Sequence, residues 1–190
     1  NFWITKNVWN TFTRKRYWNK VKKYGLYQLT KDFQTNVFNF LLKNGIENYV
    51  GVPDSTLKKF IEEGLKKKKI IISTREEEAI GIATGMTLSG SKSLVFMQNA
   101  GFANSLSTIT SLVQLYKIPL IFLIGWRGYL PDDAPEHIKI GNIQPKLLKI
   151  LGLSSKVATT KNWKSSCEWA LKNNEKGLSC ALIIRREFLD

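Results

Sequence analysis

Histidine occurs once and cysteine twice in this 190-residue chain. That scarcity excludes zinc sites built from Cys and His, and Cys167 and Cys180 alone make no disulfide framework. So few cysteines fit a reducing, cytoplasmic compartment. No apolar run approaches the roughly 18 residues that a membrane span needs. The longest candidate, around Pro119–Gly125, has the length of a buried strand. Acidic residues are missing from positions 1–31, which hold eight Lys and Arg, whereas the rest of the chain holds 21 basic and 15 acidic residues. The formal charge of +14 is therefore concentrated in an appendage, and nucleic acid is not an expected partner of the only mildly basic body.

What is present divides the chain in two. Residues 1–31 interleave the basic residues with Trp3, Trp9, Tyr17, Trp18, Tyr24 and Tyr27. They carry no continuous apolar stretch, which argues against a signal peptide; the absence of acids suits a transit peptide, but serine is absent too. The plainer reading is a basic amphipathic helix that packs on a partner or lies on a surface. The competing function for the whole chain, a nucleic-acid or membrane-surface binder, would depend on this segment and weaken steeply with salt. The body is a domain over residues 32–190, with a hydrophobic share of 43% across the chain that is ordinary for a globular protein.

From Asp32 onward apolar residues recur with regular periods. Phe33, Val37, Phe38, Phe40, Leu41 and Leu42 have helical spacing, and Asn44-Gly45 supplies a stop. Strands are expected at Asn48–Val52, Ile70–Ile72, Leu94–Met97, Leu120–Gly125, Lys156–Ala158 and Ala181–Ile184. Helices are expected at Leu57–Leu65, Glu76–Leu88, Ser105–Tyr116, Pro145–Leu151 and Trp163–Lys172. Short apolar strands alternating with helices imply an α/β fold: a mostly parallel central sheet with helices on both faces. In such sheets ligands bind beyond the carboxyl ends of the strands, so the segments after each strand carry the functional information.

Four of those segments hold chemistry. In Gly51-Val52-Pro53-Asp54-Ser55, Asp54 or Ser55 either caps the next helix or faces the crevice. In Thr74-Arg75-Glu76-Glu77-Glu78, three carboxylates open a helix, where the macrodipole favours them. The following Ala79, Gly81, Ala83 and Gly85 let that helix approach another backbone closely, so a carboxylate at its base would be desolvated. The segment Met97 to Ser105 reads as an amide-rich loop whose Gln98, Asn99 and Asn104, around Gly101, offer neutral donors and acceptors; its plainer reading is a polar turn with a helix cap. After the most apolar strand come Arg127, then His137 and Lys139 on a long loop, either a site for an anion or incidental surface charge.

Together these segments resemble one family. GVPDS at Gly51–Ser55, REEEAIGIATG at Arg75–Gly85, MQNAGFAN at Met97–Asn104, IGWRG at Ile124–Gly128 and APEHIKIG at Ala134–Gly141 are similar, in this order, to the pyrimidine-binding domain of thiamine-diphosphate-dependent phosphonopyruvate decarboxylase and of the sulfopyruvate decarboxylase alpha subunit. The resemblance runs from about Thr35 to Arg186, with Met86 standing where an aromatic residue is frequent. It implies that Glu76, with Glu77 as the alternative, hydrogen-bonds a ring nitrogen of the cofactor's aminopyrimidine and so assists proton removal from the thiazolium carbon. It further implies cofactor contacts from Gln98, Asn99, Gly101 and Asn104, and substrate contacts from Asp54, Ser55, Arg127, His137 and Lys139. No metal ligand is expected on this chain: the family's diphosphate-binding domain holds magnesium through a GDG-type motif, which this sequence lacks. A diphosphate-binding domain or beta subunit is thus an expected partner, within a homo- or hetero-oligomer. IGWRG and PEHIKIG look more like phosphonopyruvate decarboxylase, and REEE more like sulfopyruvate decarboxylase. A regulatory copy that kept only the fold is the remaining alternative.

Overall fold

The computed structural model describes residues 33–130 and 133–185. The basic extension at 1–31, and with it the boundary assigned near residue 32, lies outside the described residues.

The first helix, α1, covers 33–43 and buries Phe33, Val37, Phe38 and Leu41 along one stripe. It stops where Asn44-Gly45 stands. Gly45 adopts φ +90°, its N–H donates to the Leu42 carbonyl at 3.2 Å, and Ile46 N–H donates to the Leu41 carbonyl at 3.1 Å. This is a glycine-terminated helix end in which a left-handed residue turns two amides back onto the last turn.

Six strands follow: β1 (Asn48–Gly51), β2 (Ile70–Ile72), β3 (Ser93–Gln98), β4 (Ile121–Trp126), β5 (Ser155–Val157) and β6 (Cys180–Arg185). They form one sheet in the order β2-β1-β3-β4-β6-β5, and every neighbouring pair is parallel. The helices between them are α2 (Lys58–Lys66), α3 (Glu76–Leu88), α4 (Asn99–Asn104), α5 (Leu106–Thr108) leading into a π-helical segment (Ile109–Gln114), α6 (Pro135–Ile150) and α7 (Trp163–Glu175). A short 3-10 turn, Ser55–Leu57, precedes α2.

Alternation along the strands makes two cores. Tyr49, Leu94, Phe96, Leu123 and Leu182 point to one face, where α1, α2 and α7 cover them. Val50, Val95, Met97, Phe122 and Ile183 point to the other, under α3, α4, the π-helical segment and α6. The chain leaves β1 for β2 on one side and then returns past it to β3 on the other. The carboxyl ends of β1 and β3 therefore flank the point where strand order reverses, which is where an open parallel sheet offers a crevice.

Two expectations about local structure are corrected. The amide-rich segment is not a loop: β3 runs to Gln98 and α4 begins at Asn99 with nothing between. Nor do His137 and Lys139 sit on a long loop before a helix at Pro145, because α6 already starts at Pro135. A proline inside a helix lacks the N–H that would bond the carbonyl four residues back. Here that carbonyl belongs to Gly141, and the Trp126 indole N–H at the end of β4 donates to it at 2.9 Å. The sequence shows the proline but not the distant donor that makes it tolerable. Trp126→Phe should accordingly cost about 1 kcal/mol of stability. The cost should shrink in a Pro145→Ala background, where a backbone N–H is again available to Gly141; denaturant unfolding of the four proteins of that cycle checks it.

Candidate active site

Asp54 organises the crevice. It follows β1, is buried, and accepts a hydrogen bond from Thr56 N–H at 3.2 Å, which caps the 3-10 turn. Its other oxygen accepts from Gln98 Nε2 at 3.0 Å, tying the end of β1 to the end of β3. A Cβ on Gly125 of β4 would run into the Asp54 carboxylate, so glycine there is what admits it. Ser55, the next residue, is exposed at the mouth.

The three carboxylates at the start of α3 separate by role. Glu78 accepts from Thr74 N–H at 2.8 Å and Thr74 Oγ1 at 2.7 Å; these bonds favour its charged form and lower its pKa. It closes the helix start. Glu76, half-buried in the first turn, lies against α4, so that a Cβ on Gly101 would overlap its side chain. Glu76 has no hydrogen-bond or ion-pair partner among the described residues. Of the triplet, it is the carboxylate laid across the bare backbone of Gly101 with its acceptor capacity free. Glu77, also half-buried, is its neighbour on the same turn.

Gly101→Ala separates the site from the fold. Alanine is favoured over glycine within a helix by about 0.5–1 kcal/mol, so stability should hold or rise. Glu76 would have to swing aside, and under the acid–base role that the resemblance implies for it, activity of the partnered protein should fall about tenfold or more. A melting curve and a turnover assay on the same preparation check both halves.

The amide side chains differ in reach. Asn99 is fully buried and holds Arg127 by its main chain: Nδ2 donates to the Arg127 carbonyl at 3.0 Å and Oδ1 accepts from Arg127 N–H at 3.1 Å. Both ends of its amide are therefore engaged in positioning the segment after β4. Gln98 bonds Asp54 as above, and Asn104 is exposed at the far end of α4.

Arg127 is gripped as well as placed. Its Nε donates to both oxygens of Asp133 at 3.1 and 3.0 Å, and Nη2 donates to Asp133 Oδ1 at 2.6 Å. Gly128 N–H at 2.7 Å and Ala134 N–H at 2.9 Å donate to the same carboxylate. The two side chains are only 13% and 9% exposed, so this is a clasp within the fold and not a solvated surface pair. The guanidinium and two amides hold the Asp133 carboxyl well below the usual carboxylate range, and the carboxylate in turn raises the Arg127 pKa. A depressed folded-state pKa stabilises the fold above the unfolded value and loses that contribution as pH falls below it, so the clasp opens only in acid. Nη1 is left at the outer end, donating to Ser55 Oγ at 3.3 Å in a solvent-open position. Asp133, as the partner of Arg127, is a residue that the sequence analysis does not single out. Asp132 lies outside the described residues; an adjacent Asp pair before a proline was the available signal.

His137 and Lys139 stand in the first turns of α6, two residues apart, a spacing that sends side chains to different sides of a helix. The structure therefore does not gather them with Arg127 as one loop. The His137 main-chain carbonyl instead packs under Gly128, which has φ +71° and no room for a Cβ. Among the described residues no cluster of three or more His, Cys, Asp or Glu could hold a metal ion, and no helix is long and apolar enough to cross a membrane.

Residues 31–140 match the model of the thiamine pyrophosphate enzyme N-terminal TPP binding domain, over more than half of the chain. The chain belongs to the thiamine pyrophosphate enzyme family. Among curated relatives, the sulfopyruvate decarboxylase alpha subunit of Methanococcus maripaludis is 39% identical over 115 residues, covering 60% of this chain and 69% of that one. Phosphonopyruvate decarboxylase of Streptomyces viridochromogenes is 31% identical over 109 residues, covering 56% of this chain but 28% of the relative. A solved 2-oxoglutarate:ferredoxin oxidoreductase from Magnetococcus marinus superposes with a TM-score of 0.60 at 15% identity, over 82% of this chain and 28% of that one, which shows a shared fold. The thiamine pyrophosphate family thus accounts for the parallel sheet and for a domain devoted to binding that cofactor. Glu76 against Gly101 fits such a group: a half-buried carboxylate with free acceptor capacity suits a ring nitrogen that carries a proton.

Proposed function

We propose that this chain is the pyrimidine-binding half of a thiamine-diphosphate-dependent decarboxylase for 2-oxoacids that bear an anionic group on the third carbon. The favoured substrate is 3-phosphonopyruvate, giving phosphonoacetaldehyde and CO2, on the strength of IGWRG and PEHIKIG. The second reading, sulfopyruvate to sulfoacetaldehyde and CO2, is favoured by REEE and by the relatives named as sulfopyruvate decarboxylase alpha subunits. The single observation that carries the proposal is Glu76, held at the start of α3 against Gly101 beside the strand-order reversal.

Bound cofactor supplies a cationic ring that accepts the electron pair released when the carboxylate departs as CO2. The chain's own residues prepare the site for that chemistry. Glu76 would accept a hydrogen bond from a protonated ring nitrogen of the aminopyrimidine and so favour the tautomer whose other nitrogen is basic. Gly101 leaves the room that Glu76 occupies, and Gln98 ends β3 immediately before the helix that carries Gly101. Asp54, linked to Gln98, precedes Ser55, and in this reading Ser55 and the outer end of Arg127, hydrogen-bonded to it, meet the substrate. The diphosphate and Mg2+ would belong to a partner domain or beta subunit within an oligomer, and the two buried free thiols, Cys167 and Cys180, are compatible with a cytoplasmic location.

Steady-state kinetics with the partnered protein test the substrate class. Phosphonopyruvate or sulfopyruvate should exceed pyruvate in kcat/KM by about 100-fold, the ratio that one or two charge-assisted hydrogen bonds supply. Equal use of pyruvate would overturn the anionic-tail reading, and the ranking of the two anionic substrates decides between them.

A further inference from the structure

The guanidinium of Arg127 presents two ends with different surroundings. Nε and Nη2 are held by Asp133, itself fixed by the amides of Gly128 and Ala134. Nη1 points the other way, to Ser55 at the mouth of the crevice. Because the Ser55 oxygen accepts that N–H, its own O–H remains to donate. Nη1 and the Ser55 hydroxyl are thus neighbouring donors on the solvent side, one carrying positive charge.

We infer that Asp133 is a positioning residue for this pair: by gripping Nε and Nη2 it aims Nη1 and the Ser55 hydroxyl at the anionic tail of the substrate. A free arginine side chain samples many rotamers, and fixing it before substrate arrives removes an entropic cost from binding. The carboxylate also balances the charge of Arg127. Two directed donors beside a neutralised cation discriminate by geometry, whereas an isolated cation would hold any anion, including product. Asn99 completes the support by fixing the main chain of Arg127. The inference rests on the anionic-tailed substrate proposed above.

Arg127→Ala removes clasp and donor together and so does not separate them. Asp133→Asn loosens the grip while keeping the shape, Asp133→Glu restores the carboxylate, and Ser55→Ala removes an exposed hydroxyl without touching the clasp. The first readout needs no turnover: inorganic sulfate is titrated at constant ionic strength and the melting temperature of the full chain with its partner is followed. Sulfate should stabilise the wild-type protein saturably. Ser55→Ala and Asp133→Asn should each weaken the apparent affinity about tenfold, the scale of one charge-assisted hydrogen bond, and Asp133→Glu should recover part of it. In kinetics, Asp133→Asn should raise KM for the anionic 2-oxoacid by a similar factor, with kcat and the parameters for pyruvate within about twofold. Should Asp133→Asn fail to fold, Asp133→Glu carries the test of the grip, and an unchanged sulfate response in Ser55→Ala still overturns the inference. No sulfate response in the wild type, or an unchanged one in Ser55→Ala or in folded Asp133→Asn, overturns the inference. The expected sulfate pattern combined with equal use of pyruvate and the anionic substrates leaves the donor pair standing and overturns the substrate reading instead.

Discussion

Glu76→Gln is expected to lower turnover of the partnered enzyme by about 100-fold or more, the range over which positioned proton transfer contributes to enzymic rates. The substitution keeps size and one acceptor oxygen, so the packing against Gly101 survives. What it removes is the carboxylate proposed to favour one tautomer of the aminopyrimidine. The fold should scarcely respond, because Glu76 has no partner among the described residues and a charge in the first turn of a helix contributes only about 0.3–1 kcal/mol. Loss of activity with an unchanged melting curve is therefore the expected signature. The two neighbours serve as controls. Glu78→Gln should act on stability through its bonds to Thr74, and Glu77→Gln should leave both properties close to wild type. Near-normal turnover in Glu76→Gln together with loss in Glu77→Gln would move the assignment one residue along.

The fold was legible wherever local chemistry decides local structure. The Asn44-Gly45 stop, the strand at Ile70–Ile72 and the helix at Glu76–Leu88 stand where the sequence puts them, because a left-handed glycine, β-branched residues and an acidic first turn act over a few neighbours. Class and parallel arrangement followed from alternation of short apolar strands with helices. Strand order did not, since it depends on contacts between residues far apart in the chain.

At the site, legibility failed for the same reason. Asn99 has the chemistry of a ligand-binding amide, yet both its ends go to the main chain of Arg127, 28 positions away. Arg127 has the chemistry of an anion receptor, yet most of its fork is held by Asp133. Pro145 looks like the first residue of a helix, and only the indole of Trp126 shows why the helix runs through it. Of the small residues along α3, Ala79 and Ala83 are fully buried against the sheet, whereas Gly81 and Gly85 are exposed with open space around them. Only half of that pattern therefore serves close packing, and it is the family resemblance that singles out Glu76.

The second large effect is dependence on a partner. The chain places Glu76, the buried Asp54 and the clasped Arg127 in the segments that follow its strands, and its sequence holds no GDG motif for a magnesium diphosphate. Among the described residues no acidic cluster takes over that task. A diphosphate carries several negative charges in contact with a metal ion, and a site without ligands for that ion binds the cofactor only through its pyrimidine end. The chain by itself should therefore bind thiamine diphosphate poorly and turn over no substrate even with magnesium present. Addition of the diphosphate-binding subunit should raise both from background to full activity.

The most direct measurement is CO2 release from phosphonopyruvate and sulfopyruvate, with thiamine diphosphate and Mg2+, by this chain alone, by the diphosphate-binding subunit alone, and by the two mixed. The account predicts release only from the mixture, and its abolition when the mixed chain carries Glu76→Gln. Turnover by this chain alone, in a preparation verified free of contaminating decarboxylase, would contradict it.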